Sequence, residues 1–422
     1  MPVLILAVAA FVIVTTEFLI VGLLPALARD LGISIATAGQ LVTLFALVVM
    51  VAGPFLTAWL ANIDRKRLFV AILLLFAASN ALAAVATNVW VLALARLLPA
   101  LALPVFWGTA SDTAARIAAP DAGGRAVSTV YLGISGAMLF GIPLGTLASD
   151  AIGWRAAFGL LAGLSLAIAL LMALRMPAVA SPRSAGFGEQ ARMLKSPVFI
   201  ANVALSVLVF TAMFAGYTYL AEMLEKSAGI APARVGWWLM GFGAVGLAGN
   251  WLGGRWVDSK PLATTAVFCL VLAAGMAATM ALAGGSRAAG AGAVIAFAIA
   301  LAAWGVANTA LYPVCQIRVM KAATGAQALA GTINVSAANA GIALGALVGG
   351  LGISAWGPGN VGYLAAGIAV LAAVAALLVA QILLMRHLLR QPRERAPWYN
   401  GTGISAYVSG MLISAFALAS LQ

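Results

Sequence analysis

The sequence predicts an all-α membrane protein with twelve transmembrane helices in two six-helix halves. Hydrophobic residues make up 64% of the 422 positions, and charged residues only 8%. Apolar runs of membrane-spanning length recur along the chain, and one polar stretch divides them into two sets of six. Soluble chains are about half apolar and about a quarter charged. No water-soluble fold of this length hides so much apolar surface, whereas a bilayer replaces water around it.

Each predicted span is an apolar run of about 20 residues or more, the length that crosses the hydrocarbon core as a helix. The spans lie near residues 3–27, 37–61, 68–87, 90–111, 126–148 and 155–176, and near 197–221, 235–256, 262–283, 288–315, 328–353 and 361–386. Gly, Pro, Asn or a charge marks most boundaries, as turns require. The predicted domains are therefore a first half (1–176), a cytoplasmic linker (177–196), a second half (197–386) and a basic tail with an extra apolar segment (387–422).

The net charge of +12 is explained by membrane topology and does not indicate nucleic-acid binding. Most Lys and Arg residues fall on one side of the predicted spans, including Arg65–Arg67 after span 2 and Arg318 and Lys321 after span 10. The opposite side carries few: Arg29, Arg155, Lys226, Arg234 and Arg287. The positive-inside rule then predicts a multi-pass protein of the bacterial inner (plasma) membrane with a cytoplasmic N-terminus. Arg96 alone is left inside a span.

No cofactor or metal site is expected from the sequence. It has no phosphate-binding glycine-rich loop ending in Lys-Ser/Thr, so direct ATP drive is unsupported. Cys269 and Cys315 lie within apolar runs and are interpreted as small core residues, without metal-ligand spacing. The single histidine, His387, follows the last long run, which excludes a histidine proton relay inside the membrane.

The linker and the tail differ in composition. The linker contains Ser, Pro and Gly, and six spans, a polar linker and six spans form the organisation of a two-halved transporter. The tail is basic from Arg386 to Asn400 and apolar again from Gly403 to Leu421. We consider three interpretations of that last segment: a thirteenth span, an interfacial helix or a disordered stretch. We favour a helix on or in the membrane.

Two loops resemble the signature loop of the major facilitator superfamily, which has a glycine, an aspartate and a basic cluster. The first reads Gly53-Pro54 and then Asp64-Arg65-Lys66-Arg67, and the second reads Gly253-Gly254-Arg255-Trp256-Val257-Asp258. In the first copy Ala61 stands where the family has its aspartate, and Asp64 where it has a glycine. The second copy lacks the dense basic cluster. The resemblance implies a latch between the halves. Simple positive-inside charge is the alternative.

Further motifs resemble the drug–proton antiporter branch, of the bacterial drug-, sugar- or arabinose-efflux type. They are Arg96 with Pro99 and Pro104, the glycine-rich run from Gly133 to Gly145 followed by Gly153-Trp154-Arg155, and Thr16-Glu17-Phe18 through Pro25. The resemblance covers residues 3–386. It implies a monomeric transporter, not an enzyme, that exports a small drug-like or sugar-like molecule against proton entry by alternating access. The rivals are a facilitator or proton symporter on the same fold, and a membrane enzyme or scaffold.

Small residues in span 5 and span 11 predict close helix contacts. Gly141 and Gly145 are four residues apart in span 5, with Pro143 between them to bend it. The glycines of span 11 repeat the same spacing at Gly341, Gly345 and Gly349. We expect a tight, kinked seam between the halves that seals one side against proton leak. Ordinary helix packing is the alternative.

Glu17, Arg96 and Asp112 are the candidates for proton coupling. An ionisable side chain at the centre of a span costs about 2.5–3.5 kcal/mol on insertion scales, so its presence needs a reason. Glu17 lies well inside span 1 and is the first candidate; a fixed ion pair with Arg96 is the alternative reading. Asp112 near the inner end of span 4 also reads as a helix-end charge, as does Glu222 in span 7.

Aromatic and neutral polar residues on three spans are the candidates for substrate contact. They share single helix faces and are Phe210, Phe214 and Tyr217 on span 7, Trp304, Asn308 and Tyr312 on span 10, and Thr332, Ser336 and Asn339 on span 11. Hydrocarbon cannot hydrogen-bond a polar face, so such faces should point inward. Helix packing or interface anchoring is the alternative for the aromatic residues.

Overall fold

The computed structural model describes residues 2–60, 63–117, 123–177, 179, 195–257, 260–283, 291–323 and 327–389. These residues are helical or lie in short turns, with no strand among them. Two compact units divide the chain, residues 1–377 and residues 378–422. In the second unit the described residues, 378–389, form the end of the last helix. The apolar tail segment from Gly403 to Leu421 lies outside the described residues.

Twelve helices follow one another in the described ranges, some of them interrupted. The first half consists of α1 (Pro2–Leu31), α2 (Ile35–Trp59), α3 (Arg65–Ala84), α4 (Val89–Ile117), α5 (Gly123–Gly136, Ala137–Gly141 and Ile142–Ile152) and α6 (Trp154–Arg175). The second half consists of α7 (Pro197–Tyr217, followed by the short turns Leu220–Glu222 and Met223–Ser227), α8 (Pro232–Val257), α9 (Pro261–Ala283), α10 (Ala291–Lys321), α11 (Gln327–Trp356) and α12 (Val361–Leu389). The predicted all-α fold with two six-helix halves is confirmed.

Eleven helical stretches in the described ranges are long and apolar enough to cross a membrane. The remaining helix, α8, has 26 residues and occupies the position of predicted span 8. Its sequence is rich in glycine and tryptophan, which are less hydropathic than Leu, Ile and Val. Many apolar side chains of the other helices point outward; for example, Phe55 is 74% exposed and Leu174 is 69% exposed. These are the surfaces that a bilayer covers.

Local chemistry sets several helix boundaries. The Asp64 carboxylate accepts a hydrogen bond from the Arg67 backbone N–H (3.0 Å) and caps the N-terminus of α3. Ser196 caps α7 in the same way, and Pro197 follows it in the first turn, where its missing N–H costs nothing. Between α5 and α6, Gly153 has φ of 87°, a conformation that favours glycine. We call the two ends of the bundle the Asp64 end and the Arg29 end.

The halves meet mainly through two pairs of helices, α2 with α11 and α5 with α8, and α1 also contacts the turn Leu220–Glu222. In the first pair, the Thr43 hydroxyl donates to the Ala343 carbonyl oxygen at 3.3 Å. In the second pair, Gly236 lies so close to α5 that an added Cβ would stand 3.0 Å from the Pro143 carbonyl oxygen. Both contacts lie towards the Arg29 end, so the halves are held together there.

The prediction that the small residues of spans 5 and 11 form a seam between the halves is wrong for most of them. Gly141 and Gly145 pack against Thr15 and Leu19 of α1, within the first half. The span 11 glycines pack against α7, within the second half: a Cβ added to Gly345 would lie 2.6 Å from the Thr211 carbonyl oxygen. The seam instead uses glycines of α8, such as Gly236. Glycine spacing predicts close approach, but nothing in it identifies the helix on the other side.

The bend expected at Pro143 is preceded by a π-helical turn, Ala137–Gly141. Proline cannot donate to the carbonyl four residues earlier, so the regular hydrogen-bond ladder is interrupted here. The Ile142 N–H reaches back five residues to the Ala137 carbonyl oxygen, which absorbs the irregularity. The turn contains Met138, which faces the second half.

Candidate functional site

The buried guanidinium of Arg96 joins α4 to the middle of α1. Its two terminal nitrogens donate to the backbone carbonyl oxygens of Thr16 (2.6 Å) and Glu17 (2.7 Å). The same group lies over the Phe45 ring of α2, 4.3 Å from its centroid. Arg96 is 2% exposed, and its Nε has no hydrogen-bond partner in the described part of the chain. The arginine therefore fixes three helices of the first half at one point.

Glu17 is buried beside this guanidinium, with 9% of the residue exposed. Arg96 binds its backbone carbonyl and not its carboxylate, and no ion pair joins the two side chains. The fixed ion pair considered as the alternative is thus not formed, and the two side chains are separated by the Glu17 backbone carbonyl. Opposite charges still interact in such a low-dielectric site.

Neutral polar groups of α3 complete the cluster around Glu17. The Asn80 side-chain amide donates to the Thr16 hydroxyl at 3.0 Å, and the Ser79 hydroxyl donates to the Ala95 carbonyl oxygen at 2.6 Å. Both residues are buried, and Asn80 Oδ1 has no partner among the described residues. Sequence reasoning missed Asn80, although an asparagine in the middle of an apolar run is a usable signal. Asp112 lies on α4, but its side chain is outside the described part.

The aromatic residues predicted for substrate contact form one cluster with three neighbours that the sequence did not indicate as substrate contacts. Phe214 lies 5.8 Å from Phe18 of α1 and 5.7 Å from Tyr217, measured between ring centroids. Tyr217 stacks on Phe242 of α8 at 5.6 Å, and its hydroxyl contacts Met138 Sδ of α5 at 3.9 Å. The cluster therefore crosses from one half to the other.

The same cluster continues onto α10. Trp304 meets Phe242 edge to face at 5.8 Å, and Tyr312 meets Phe210 at 5.2 Å. Spacings of four residues place Trp304, Asn308 and Tyr312 on one face of α10. The missed members, Phe18, Met138 and Phe242, are single apolar residues in apolar helices, and nothing in the sequence distinguishes them from packing residues.

Three polar atoms on this face of α10 have no hydrogen-bond partner in the described part of the chain. They are Trp304 Nε1, Asn308 Oδ1 and Tyr312 Oη. Native proteins leave few buried polar groups unpaired, since each costs about 1–3 kcal/mol. A donor, an acceptor and a hydroxyl beside aromatic rings are the groups that bind a small molecule with polar and flat apolar parts.

The polar face of α11 lies partly beside this region. Asn339 is buried; its amide donates to the Val335 carbonyl oxygen at 3.0 Å, and its Oδ1 has no partner among the described residues. Thr332 and Ser336 are half-buried. An added Cβ at Gly53 of α2 would lie 4.0 Å from the Ser336 hydroxyl, so Ser336 is at the contact between the halves.

The residues of the two loop motifs have mixed environments. Asp64 is the cap of α3, and Arg65 is buried at 4% exposure with its backbone N–H bonded to the Val179 carbonyl oxygen. Lys66 is half-buried and Arg67 exposed. Gly53 packs against Pro104 of α4, whereas Gly254 has open space around it. Asp258 lies outside the described residues.

Arg318 is a second buried arginine, and its assignment to a cytoplasmic loop is wrong. It lies in α10 with 2% of the residue exposed. Its terminal nitrogens donate to the Thr265 hydroxyl (3.1 Å), the Asn202 carbonyl oxygen (3.0 Å) and the Ser206 hydroxyl (2.8 Å). Because α10 extends six residues beyond predicted span 10, Arg318 lies inside the bundle. Cys315 and Cys269 are buried beside it, as core residues.

Two ion pairs lie at the Arg29 end. Arg29 of α1 pairs with Glu225, after α7, at 2.7 Å and so joins the two halves. Within the first half, Asp30 pairs with Arg155 at 2.6 Å and accepts a bond from the Trp154 indole at 3.1 Å. A cavity of about 360 Å³ next to the Arg29 pair is lined by residues of both halves, including Glu222.

Comparison with known proteins identifies the family. The model of the Major Facilitator Superfamily matches residues 6–333. The inner membrane transport protein YdhP of Escherichia coli (strain K12) is 34% identical over 354 residues, which cover 84% of this chain and 89% of that protein. The chloramphenicol efflux pump Rv0191 of Mycobacterium tuberculosis (strain ATCC 25618 / H37Rv) is 33% identical over 82% of this chain and 84% of its own. A probable sugar efflux transporter of Helicobacter pylori (strain G27) is 31% identical over 88% and 93%.

Solved structures agree on the fold. A bacterial homologue of the human lysosomal transporter Spinster, in an inward-facing and occupied conformation, superposes with a TM-score of 0.72 at 15% identity and covers 91% of this chain and 97% of its own. A peptide transporter POT bound to alafosfalin gives 0.70 at 16% identity over 90% and 94%. Family membership removes the enzyme or scaffold alternative. The chain belongs to the major facilitator superfamily and is a multi-pass membrane transporter.

Proposed function

We propose that this transporter exports a small drug-like or sugar-like molecule in exchange for protons, by alternating access around the aromatic cluster. The observation that carries the proposal is the junction of the two halves. On one side is the buried carboxylate of Glu17 beside the Arg96 guanidinium. On the other side are the unpaired polar atoms of Trp304, Asn308 and Tyr312. A proton site and a substrate site that adjoin are what coupling requires.

Glu17 is the proposed proton carrier. Arg96 of α4 donates to two backbone carbonyls of α1, those of Thr16 and of Glu17 itself, so the Glu17 carboxylate is left free of a fixed partner. A carboxylate in such a position takes up or releases a proton when the site is open to water. When the site closes, it keeps the protonation state that it had. Asp112 is the second candidate, nearer the Asp64 end of α4.

The proposed substrate site is the aromatic cluster with α10 and α11. Phe210, Phe214 and Tyr217 supply flat apolar surface, and Trp304, Asn308, Tyr312 and Asn339 supply donors and acceptors that lack partners. Thr332 and Ser336 extend it towards the Asp64 end. Relatives named a chloramphenicol efflux pump and a probable sugar efflux transporter support export of a small neutral molecule.

In the proposed alternating access, contacts between the two halves form in one state and break in the other. We propose that the Arg29–Glu225 pair and the α5–α8 contact at Gly236 close the Arg29 end in one state. The residues of the loop motifs, from Gly53 to Arg67 and from Gly254 to Asp258, would hold the Asp64 end in the other. Gly141 and Gly145 keep α5 against α1 while the halves move, and Pro143 lies at the α5–α8 contact. The transporter is proposed to act as a monomer.

The proposed orientation has the N-terminus and the Asp64 end in the cytoplasm of a bacterial cell, in the inner membrane. Both native cysteines are fully buried, so introduced cysteines report alone. Ile63, 39% exposed, and Val85, 68% exposed, flank α3 at opposite ends. A membrane-impermeant thiol reagent added to intact cells should label Val85→Cys and spare Ile63→Cys. The reverse pattern would overturn the orientation.

Transport in proteoliposomes separates the proposed antiport from its rivals. Vesicles with an acidic lumen should accumulate radiolabelled chloramphenicol or arabinose above the outside concentration, because protons leave as substrate enters. A protonophore should abolish the accumulation. A symporter would accumulate substrate only in vesicles with an alkaline lumen, and a facilitator would stop at equal concentrations. Either result would refute proton antiport while leaving the family assignment unchanged.

A further inference from the structure

An apolar groove runs between α8 and α10 on the outside of the bundle. Its volume is about 480 Å³, within the range of about 300–1,000 Å³ typical of small-molecule sites. Trp237 and Gly241 of α8 and Ile295 and Ile299 of α10 form its walls. These three larger side chains are 59–64% exposed in the structure, so this face looks towards the bilayer. The groove belongs to neither the proton site nor the Arg29 end.

The chemistry of the groove selects its occupant. All the residues that line it are apolar or aromatic or are glycine. The indole N–H groups of Trp237 and Trp238 are the only side-chain donors among these residues. A hydrophilic molecule would therefore lose most of its bonds to water there, a cost of several kcal/mol per group in hydrocarbon. The occupant must therefore be lipophilic and must arrive dissolved in the bilayer.

The floor of the groove connects it to the proposed substrate site. Phe242 and Leu301, 6% and 3% exposed, form this floor. The other side of Phe242 stacks on Tyr217 at 5.6 Å and meets Trp304 edge to face at 5.8 Å. Phe242 thus belongs both to the floor of the groove and to the central cluster.

We propose that the groove is a lateral binding site for a lipophilic, membrane-dissolved substrate on its path between the bilayer and the central cluster. The inference rests on the proposed function and narrows its substrate class to molecules with an apolar ring or chain. A bilayer acyl chain as the only occupant is the competing outcome. An acyl chain would be present in excess and would not be displaced saturably by a small aromatic probe.

Gly241 provides a clean way to fill the groove. An added Cβ at Gly241 meets nothing within 4 Å, so a larger side chain enters open space instead of the helix packing. Gly367 of α12 is a matched control: it is also helical, exposed and without neighbours within 4 Å of an added Cβ. Gly241→Phe should block the groove, and Gly367→Phe should only add a ring to another lipid-facing surface.

The decisive test is equilibrium binding of tritiated N-phenyl-1-naphthylamine, a neutral probe that partitions into bilayers, to the full-length protein in lipid nanodiscs. We expect saturable binding to the wild type and to Gly367→Phe, and at least tenfold weaker binding to Gly241→Phe. Proteoliposome export of the probe should fall in parallel, while any arabinose export stays within twofold.

Two results would overturn the lateral site. One is the absence of saturable probe binding to the wild type, which would leave lipid as the only occupant. The other is equal affinity in Gly241→Phe. Saturable binding that Gly241→Phe removes, without proton-driven export by the wild type, would support the site and refute only the proposed antiport. Reduced probe binding in both phenylalanine variants would also contradict the proposal, since the effect would then not belong to the groove.

Discussion

The two halves bury an arginine on corresponding helices, but in different surroundings. Arg96 on α4 and Arg318 on α10 are each 2% exposed, and each donates to a backbone carbonyl of the first helix of its own half, Glu17 on α1 and Asn202 on α7. Around Arg96 there is a buried carboxylate. Around Arg318 there are the hydroxyls of Ser206 and Thr265 and two thiols.

From this difference we infer a role in transport for Arg96 and a structural role for Arg318. A guanidinium keeps its proton at ordinary pH and so cannot itself carry protons. Beside Glu17, Arg96 can set the conditions under which a carboxylate gains and loses a proton. Arg318 has only neutral acceptors, so it ties α7, α9 and α10 together. In the proposed mechanism, the first half carries the charged groups and the second half offers neutral and aromatic groups to the substrate.

Replacing Arg96 should have the largest effect on transport. Arg96→Ala removes two charge-assisted bonds that contribute about 1.5–3 kcal/mol each, and uphill transport should fall at least about 100-fold. Arg96→Lys should retain intermediate activity, because it keeps the charge but not the forked donors. Transport by purified protein in proteoliposomes measures both. Wild-type activity of Arg96→Ala would remove the arginine from the mechanism.

Removing an unpaired acceptor of the second half should weaken substrate binding but not folding. Asn308→Leu conserves volume and deletes the Oδ1 that has no protein partner. We expect the KM to rise about tenfold, the value of one hydrogen bond of about 1.4 kcal/mol. The melting temperature should stay or rise, since an unpaired buried group is lost. A fall in the melting temperature with an unchanged KM would make Asn308 a structural residue.

Breaking the ion pair at the Arg29 end should have a smaller effect. The Arg29 side chain is 51% exposed and the Glu225 side chain 7%, so we place this pair at the upper end of the range for exposed pairs, about 1 kcal/mol. Arg29→Ala and Glu225→Ala should each change the transport rate by about fivefold at most. The exchanged pair Arg29→Glu with Glu225→Arg should restore it. Failure of the exchange, with both single variants impaired, would show that the residues act separately.

Arg318 should matter least to transport and most to stability. Arg318→Met keeps much of the volume and leaves the Asn202 carbonyl, Ser206 and Thr265 without their donor. We expect a loss of about 3 kcal/mol of stability. Transport per folded molecule should stay within about twofold of the wild type. Thermal unfolding in detergent and transport normalised to folded protein check this. A coupling defect in stable protein would erase the contrast with Arg96.

The sequence predicted the helices well because each helix coincides with one long apolar run. It predicted Arg318 badly, because counting basic residues near a span boundary assigns them to loops. A helix that extends beyond its apolar run, as α10 does to Lys321, draws such a residue inside. The π-helical turn before Pro143 was equally hidden, since proline predicts an interruption of the ladder but not how the chain absorbs it.

For the candidate site, residue type and depth could be read from the sequence, but partners could not. Glu17 and Arg96 stand out as charges inside spans. The direct ion pair that was the alternative interpretation is absent between them, and the Glu17 backbone carbonyl accepts the bond from Arg96 instead. Aromatic spacing on α10 identified one face of the cluster. Phe18 and Phe242 belong to it only through the packing of distant helices, which no local pattern encodes.

The central claim is that Glu17 couples proton flow to transport, and one measurement tests it directly. Wild type, Glu17→Gln and the control Glu222→Gln, which alters the other carboxylate buried in the described residues, are compared in vesicles with an acidic lumen. Uphill accumulation of substrate should be lost only in Glu17→Gln. That variant should still exchange internal for external substrate, because exchange needs no net proton movement. Uphill accumulation by Glu17→Gln at the wild-type level would contradict the account.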